Sequence, residues 1–138
     1  MRAVLDVNVL VSALLSPSGA PARLLLAWQQ GDFELIVSAL LLAELARALA
    51  YPRLRERVTA DEATRFIAWL ERSAPVAPDP GTAPPARSVD PSDDYLIALA
   101  ASMDARLVSG DRHLLDLAPE IPVHTPREFL GVLGMPAE

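Results

Sequence analysis

Short apolar runs alternate along this chain with longer segments of helical periodicity. That alternation is typical of an α/β fold with a mostly parallel sheet. Residues 2–7 predict a first, buried strand, and residues 34–37 predict a second. Shorter strands are expected at residues 76–77, 106–109 and 123–124.

Helices are predicted between these strands, from periodicity and from residues that begin or end a helix. A first helix covers residues 22–30 and ends at Gly31, and Ser38 caps a second that runs to about residue 50. Thr59 and Glu62 have the spacing of a capping box, which opens a helix to about residue 72.

The second half of the chain predicts three more helices after an irregular stretch. Residues 75–91 contain six of the chain's thirteen prolines, so most of this stretch is expected to be a loop, either a flap or an insertion. Ser92 is expected to cap a helix that reaches about residue 103. Residues 112–117 predict a short helix, and residues 126–133 a closing one with proline in its first turn.

The length and composition indicate one domain spanning residues 1–138, with enough apolar residues (51%) for a sizeable core. No segment has the ~18 uninterrupted apolar residues of a membrane span. The first residues lack a signal-peptide pattern, because Asp6 and Asn8 interrupt their apolar run. There is no cysteine, which excludes disulfides and thiolate chemistry. We therefore expect a cytoplasmic protein.

The net charge is −6, and all twelve basic residues are arginine. An acidic chain lacks the usual basic footprint of a nucleic-acid-binding protein. This argument weakens if several acids share one metal site, since bound cations offset the local charge. The arginine-only usage is best explained by genome base composition.

Four acidic residues lie far apart in sequence, each at an edge of or within an apolar segment: Asp6, Glu44, Asp94 and Asp111. Ionised carboxylates in apolar surroundings are costly unless they are paired or hydrogen-bonded. In open α/β sheets, functional groups gather beyond the carboxyl ends of the strands, where Asp6 and Asp111 are expected. If the fold brings the four together, oxygen-only ligands indicate a hard divalent ion such as Mg²⁺ or Mn²⁺.

Each acid also has a purely structural interpretation. Asp6 and Asp111 are equally compatible with backbone hydrogen bonds in strand-end turns. Asp93 and Asp94 are compatible with ordinary acids at a helix N-terminus. Glu44 is three residues from Arg47, which favours a solvent-exposed ion pair to a similar degree.

Several polar residues accompany the acids. Ser109 either orients a ligand or completes a turn, and Asn8 either orients Asp6 or begins a helix. Arg47 and Arg53 are weak candidates for phosphate contacts, because a solvated helix face explains them at least as well. The two histidines have no ligand-like spacing, so zinc is not expected.

The four segments that carry these acids resemble a known family. Residues 1–13 read MRAVLDVNVLVSA, residues 38–45 read SALLLAEL before YPRL, residues 90–100 read DPSDDYLIALA, and residues 107–115 read LVSGDRHLL. In this order the motifs are similar to those of PIN domains. The resemblance is greatest to the bacterial group identified as toxin components of toxin–antitoxin pairs, which are relatives of the VapC-type toxins.

This resemblance implies a three-layer α/β/α sandwich and a Mg²⁺- or Mn²⁺-dependent endoribonuclease with one or two ions. Asp6, Glu44, Asp94 and Asp111 would be the catalytic and metal-binding acids, with the role of Asp93 left open. Asn8 and Ser109 would orient the ligands. The resemblance also implies an RNA substrate, a cognate antitoxin, a homodimer, and no membrane partner.

Two other classes of function remain open at this stage. One is a PIN-like module that binds RNA or protein without cleaving it. The other, less favoured, is an aspartate-dependent phosphatase or receiver-like protein. Asn8 argues against a phosphatase of the haloacid-dehalogenase type, which would have a second aspartate at that position.

Overall fold

The central sheet of this protein is built around one strand whose residues are almost entirely buried. The computed structural model describes residues 1–81, 83–88, 90–118 and 120–135. Its elements are β1 (Arg2–Leu5), α1 (Val7–Leu15), α2 (Ala20–Gln29), β2 (Glu34–Leu35), β3 (Val37–Ser38), α3 (Ala39–Leu49), α4 (Pro52–Arg55), α5 (Ala60–Ser73), β4 (Val76–Ala77), a 3₁₀ turn (Pro91–Asp93), α6 (Asp94–Ser102), β5 (Arg106–Val108), α7 (Arg112–Leu115), β6 (Val123–His124) and α8 (Pro126–Val132).

The four-stranded sheet has the order β2-β1-β5-β6, and every pair of neighbours is parallel. Val4 and Leu5 of β1 point to opposite faces, yet neither side chain is exposed. Both faces of the sheet are therefore covered, as expected for a parallel sheet enclosed by helices. This confirms the predicted α/β/α architecture.

The chain changes direction across the sheet between β1 and β5. From β1 it passes to β2 on one side, whereas from β5 it passes to β6 on the other. Such a switch point opens a crevice at the carboxyl ends of the two adjacent strands. The register pairs Leu5 with Val108, so the residues that follow these two strands lie side by side.

The first strand ends earlier than predicted, because residue 7 already belongs to a helix. Helix α1 was considered only as one alternative for Asn8 and its extent was not predicted, since its sequence VNVLVSALL is apolar on nearly every side and rich in β-branched residues. Burial of Val9, Leu10 and Val11 in the core overrides that weak local preference. The short helix α4, with Pro52 in its first turn, was missed.

The predicted second strand at residues 34–37 is divided between two sheets. Glu34 and Leu35 pair with β1, whereas Val37 and Ser38 pair with β4 in a separate two-stranded parallel sheet. The division at Ile36 follows from this change of partner. Pattern alone predicts an extended segment but not which strand it pairs with.

Helix capping was predicted well with one exception. The Ser38 hydroxyl accepts a hydrogen bond from the Leu41 N–H, and Thr59 forms the expected capping box with Glu62. Ser92 does not cap α6. The Asp90 carboxylate instead accepts hydrogen bonds from the backbone N–H and the hydroxyl of Ser92, which begins the 3₁₀ turn that leads into α6.

The proline-rich stretch after β4 has no helix or strand among its described residues up to the 3₁₀ turn. It is fastened at two points. The Asp79 carboxylate accepts a hydrogen bond from the Leu40 N–H at the start of α3. Near the other end, Arg87 and the Ser88 N–H both donate to the Asp94 carboxylate.

Within the described residues no single helix is long and apolar enough to cross a membrane. Helices α1 and α2 together have the length and apolar composition of a membrane span, but they are bent by 96° at their junction. Both contribute buried side chains to the core.

Candidate active site

Asp6 and Ser109 follow the two strands that meet at the switch point. The Asp6 N–H continues the strand pairing by donating to the Val108 carbonyl, which fixes the start of α1 beside β5. The Ser109 hydroxyl donates a 2.7 Å hydrogen bond to Oδ2 of Asp6. Both residues are buried, so the contact is shielded from water. The role of Ser109 in orienting the ligands of a metal ion stays a prediction.

Asp111 is tied to the same serine from the other side. Its N–H donates to the Ser109 hydroxyl oxygen at 2.9 Å, so Ser109 links the turn after β5 to Asp6. The Asp111 carboxylate accepts a hydrogen bond from the His113 N–H at the start of α7. One carboxylate oxygen is thereby held in a turn, as its structural interpretation predicted.

Asp93, rather than Asp94, is the acid that the structure brings to Asp6 and Asp111. In its protonated form the Asp93 carboxyl hydrogen-bonds Asp111, and both Asp6 and Asp111 act on it electrostatically. Asp94 was the predicted member of the site, but its two oxygens are occupied by Arg87 and Ser88. The 3₁₀ turn explains this difference, because it rotates Asp93 towards the crevice and Asp94 towards the proline-rich stretch.

The pKa values of Asp6 and Asp93 are raised. Burial raises the pKa of Asp6, and the charge of Asp111 adds to this, while Ser109 and the N–H groups at the start of α1 oppose it. Burial and the negative charges of Asp6 and Asp111 raise the pKa of Asp93 from 3.8 to about 6. Mutual repulsion among these carboxylates is what a bound cation relieves.

Glu44 lines a cleft of about 350 Å³ together with Asp6 and Asp93. Its Oε1 is 2.6 Å from Nη1 of Arg47, so the ion pair considered as its structural interpretation is present. The glutamate is half-exposed, which makes this pair a weak contributor to stability. Asn8 also lines the cleft, from the exposed first turn of α1.

Other residues that line the cleft, among them Leu40, Tyr51 and Tyr95, were not singled out by sequence reasoning. Burial and the charges of Asp6 and Glu44 raise the pKa of Tyr95, so its hydroxyl keeps its proton. A signal for Tyr51 and Tyr95 was available, because both fall inside the motifs that carry the family resemblance. Arg53, the other predicted phosphate contact, is an exposed residue of α4 and does not line the cleft.

Within the ranges that the structure describes, no three carboxylate or imidazole side chains are arranged ready to hold a metal ion. The chemistry of the donor set nevertheless fits a hard divalent cation. Asp6, Asp93 and Asp111 supply only oxygen ligands, and they repel one another in a partly buried crevice. Asp94 fits such a role less well, since Arg87 already neutralises it.

Comparison with known proteins places this architecture in a family. The model of the PIN domain matches residues 2–113. An uncharacterised protein of Methanocaldococcus jannaschii, MJ1680, is 26% identical over 140 residues, which cover 94% of this chain and 90% of that protein. The crystal structure of PAE2754 from Pyrobaculum aerophilum superposes with a TM-score of 0.63, covering 97% of this chain and 90% of its own, at 19% identity. The last similarity shows a shared fold.

Proposed function

Because this chain belongs to the PIN domain family, whose members are generally nucleases, we propose that it is a Mg²⁺- or Mn²⁺-dependent endoribonuclease. One observation carries the proposal. Asp6, Asp93 and Asp111 come from three separate segments and interact electrostatically at the switch point of a parallel sheet. A fold that needed them only as turn or cap residues would not have to place them together.

In this proposal Asp6, Asp93 and Asp111 hold the divalent ion or ions, and Glu44 contributes from α3. Ser109 keeps Oδ2 of Asp6 in a hydrogen bond, which orients the carboxylate beside the cleft. Asn8 lines the same cleft and can hydrogen-bond substrate or water there. Asp94 has a structural role, because its carboxylate holds the proline-rich stretch through Arg87 and the Ser88 N–H.

The reaction is hydrolysis of an RNA phosphodiester bond. A divalent ion held by the acids would supply positive charge that lowers the pKa of the attacking water and stabilises the charge on the phosphate. Water adds to phosphorus and gives up one proton to solvent, the bond from phosphorus to the leaving ribose oxygen breaks, and that oxygen takes up one proton from solvent. The carboxylates fix the position of the reacting groups, which converts an encounter in solution into a reaction within one complex.

We further propose that the protein is the toxin of a type II toxin–antitoxin pair, acting in the cytoplasm as a homodimer. Support comes from the four motifs, which are most similar to those of the toxin group. The acidic cleft and the net charge of −6 suit an antitoxin segment that carries basic residues. A binding module without catalysis is the alternative, and it requires the same acids to serve recognition only.

Cleavage of a mixture of structured and unstructured RNAs tests the nuclease proposal. The wild-type protein and Asp111→Asn are each incubated with Mn²⁺, Mg²⁺ or EDTA. Asp32→Asn is the matched control, because this exposed residue lies beside β2 at the amino end of the sheet. Metal-dependent cleavage by wild type and Asp32→Asn, but not by Asp111→Asn, is the expected result. Equal traces in all three proteins would indicate contamination and count against the proposal.

A further inference from the structure

One wall of the acidic cleft is a stripe formed by α3 and by Tyr51, which lies two residues beyond the end of that helix. The stripe consists of Leu40, Glu44, Arg47 and Ala48, which share one face of α3, and of Tyr51, the residue that caps the start of α4. The opposite face of the same helix is buried in the core through Leu41, Leu45 and Leu49. The cleft-facing stripe is therefore the free side of an amphipathic helix, turned towards the acids.

This wall exposes apolar side chains inside the cleft, and their exposure calls for an explanation. Leu40 is 48% exposed and Tyr51 is 60% exposed. Among the described residues Tyr51 is the one aromatic side chain classed as exposed, since the tryptophans and the other tyrosine are at least partly buried. A scattered exposed leucine needs no explanation, but an exposed aromatic ring and a leucine lining one cleft indicate a ligand with a flat apolar part.

The charges of the cleft indicate what else that ligand carries. Arg47 stands between Leu40 and Tyr51 on the wall, with 64% of its side chain exposed, and Glu44 holds it in place. Asp6 and Asp93 face the same space from the strand side. A planar ring beside a phosphate fits the aromatic ring and the guanidinium group of this wall, and the divalent ion proposed at the acids would offset their repulsion of the phosphate.

The dimensions of the cleft restrict the form of that ligand. A volume of about 350 Å³ is at the lower end for small-molecule pockets, so it admits about one nucleotide. Bases inside a duplex are stacked on one another and present only their edges. An exposed aromatic ring can stack on a base only where the strand is single and the base is splayed out.

We propose that this wall binds one nucleotide of single-stranded RNA next to the scissile phosphate, with its base stacked on Tyr51 and its phosphate facing Arg47. The inference rests on the proposed nuclease function and names the substrate class of the same site. Tyr51 is a positioning residue that binds substrate without taking part in bond breaking. Leu40 forms the apolar edge on which the far side of the base packs.

Kinetics on short oligoribonucleotides test this inference. The cleavage position is first mapped in an RNA that the wild-type protein cuts, and each neighbouring nucleotide is then replaced by an abasic one. Stacking of one base predicts that one abasic replacement weakens wild-type kcat/KM about tenfold, through KM. Tyr51→Ala should show the same loss on the intact RNA and no further loss on the abasic one. Tyr51→Phe should behave as wild type.

Two controls distinguish RNA binding at this wall from cleavage at the acids. Leu26→Ala removes an equally exposed apolar side chain from α2, outside the cleft, and should change neither constant. The affinity of Asp111→Asn for the same labelled oligoribonucleotides, with and without Tyr51→Ala, measures the contribution of Tyr51 to RNA binding in the absence of cleavage. Binding that depends on Tyr51 without any cleavage by wild type refutes the nuclease proposal alone.

The inference is overturned if Tyr51→Ala cleaves and binds intact and abasic RNAs as the wild-type protein does. It is also overturned if Tyr51→Ala weakens double-stranded and single-stranded RNA equally. In either case Tyr51 does not hold a base of single-stranded RNA.

Discussion

Ser109 donates a 2.7 Å hydrogen bond to Asp6, although 103 positions separate the two residues in sequence. The pairing of β1 with β5 makes this contact, since Leu5 and Val108 are register partners and the next residue of each strand enters the crevice. The same hydroxyl oxygen accepts the Asp111 N–H. One buried serine thus connects two of the three clustered acids.

Ser109→Ala should lower the free energy of unfolding by about 1–3 kcal/mol, because it leaves a buried carboxylate oxygen and the Asp111 N–H without their partner. It should also raise the pKa of Asp6 further, since the serine hydrogen bond lowers it. Denaturant unfolding measures the first effect. Ser102→Ala is the control, because Ser102 is an exposed residue whose hydroxyl donates to the Leu99 carbonyl within its own helix. An equal cost in both variants would contradict the prediction.

The raised pKa of Asp93 should make the stability of the protein depend on pH. Its pKa is about 6 in the folded protein and 3.8 ordinarily, so between these values the folded state binds more protons than the unfolded state. Stability contributed by this group is therefore lost as the pH rises from 4 to above 6. Without divalent ions, the free energy of unfolding of Asp93→Asn at pH 7 should exceed that of the wild-type protein by about 1 kcal/mol, a value already reduced for solvent screening.

The comparison that decides this prediction is unfolding at pH 4 and pH 7 in EDTA. The advantage of Asp93→Asn should disappear near pH 4, where the wild-type carboxyl is protonated. Asp32→Asn should show no such difference between the two pH values, because its carboxyl is exposed at the other end of the sheet. A variant that is less stable than wild type at pH 7 would show that Asp93 is not repelled by its neighbours.

Mn²⁺ should stabilise the wild-type protein and leave Asp93→Asn nearly unchanged. A ligand that binds only the folded state contributes about 2.7 kcal/mol at a concentration 100 times its Kd. The measurement is Tm as a function of Mn²⁺ concentration, repeated with Asp32→Asn as a control that should respond like wild type. An identical rise in Tm for all three proteins would mean that the ion binds elsewhere.

Asp94→Asn should weaken the attachment of the proline-rich stretch rather than the chemistry. The Asp94 side chain is 15% exposed and accepts hydrogen bonds from Arg87 and the Ser88 N–H. Loss of its charge should cost about 1–2 kcal/mol of unfolding free energy. Asp116→Asn, at an exposed helix end, should stay within about 0.5 kcal/mol of wild type. Faster proteolysis between residues 78 and 90 should accompany the loss of stability.

The parallel sheet was predictable because its strands are short apolar runs. Several helices were predictable because their capping residues have distinct spacings. The Thr59–Glu62 capping box is a local signal that needs no tertiary information. Helix α1 and the division of the second strand were not predictable in this way. Burial against the sheet decides the first, and the choice of strand partner decides the second.

Asp6 and Asp111 were located correctly beside the crevice because strand ends in α/β sheets have a defined place. The choice between Asp93 and Asp94 depends on a rotation of about 100° between adjacent helical positions. That rotation is set by the 3₁₀ turn that Asp90 begins and by the hydrogen bonds of Arg87. Sequence spacing cannot resolve which of two neighbouring acids faces the site when the turn before them is irregular.

The most direct test compares Asp93→Asn with Asp94→Asn in Mn²⁺-dependent cleavage of one RNA substrate. Both variants remove one charge from adjacent positions, so each serves as the control for the other. If Asp6, Asp93 and Asp111 form the catalytic cluster, kcat of Asp93→Asn falls by at least about 100-fold, while Asp94→Asn stays within about tenfold of wild type. The reverse order, or equal activity of both variants with wild type, would contradict the account.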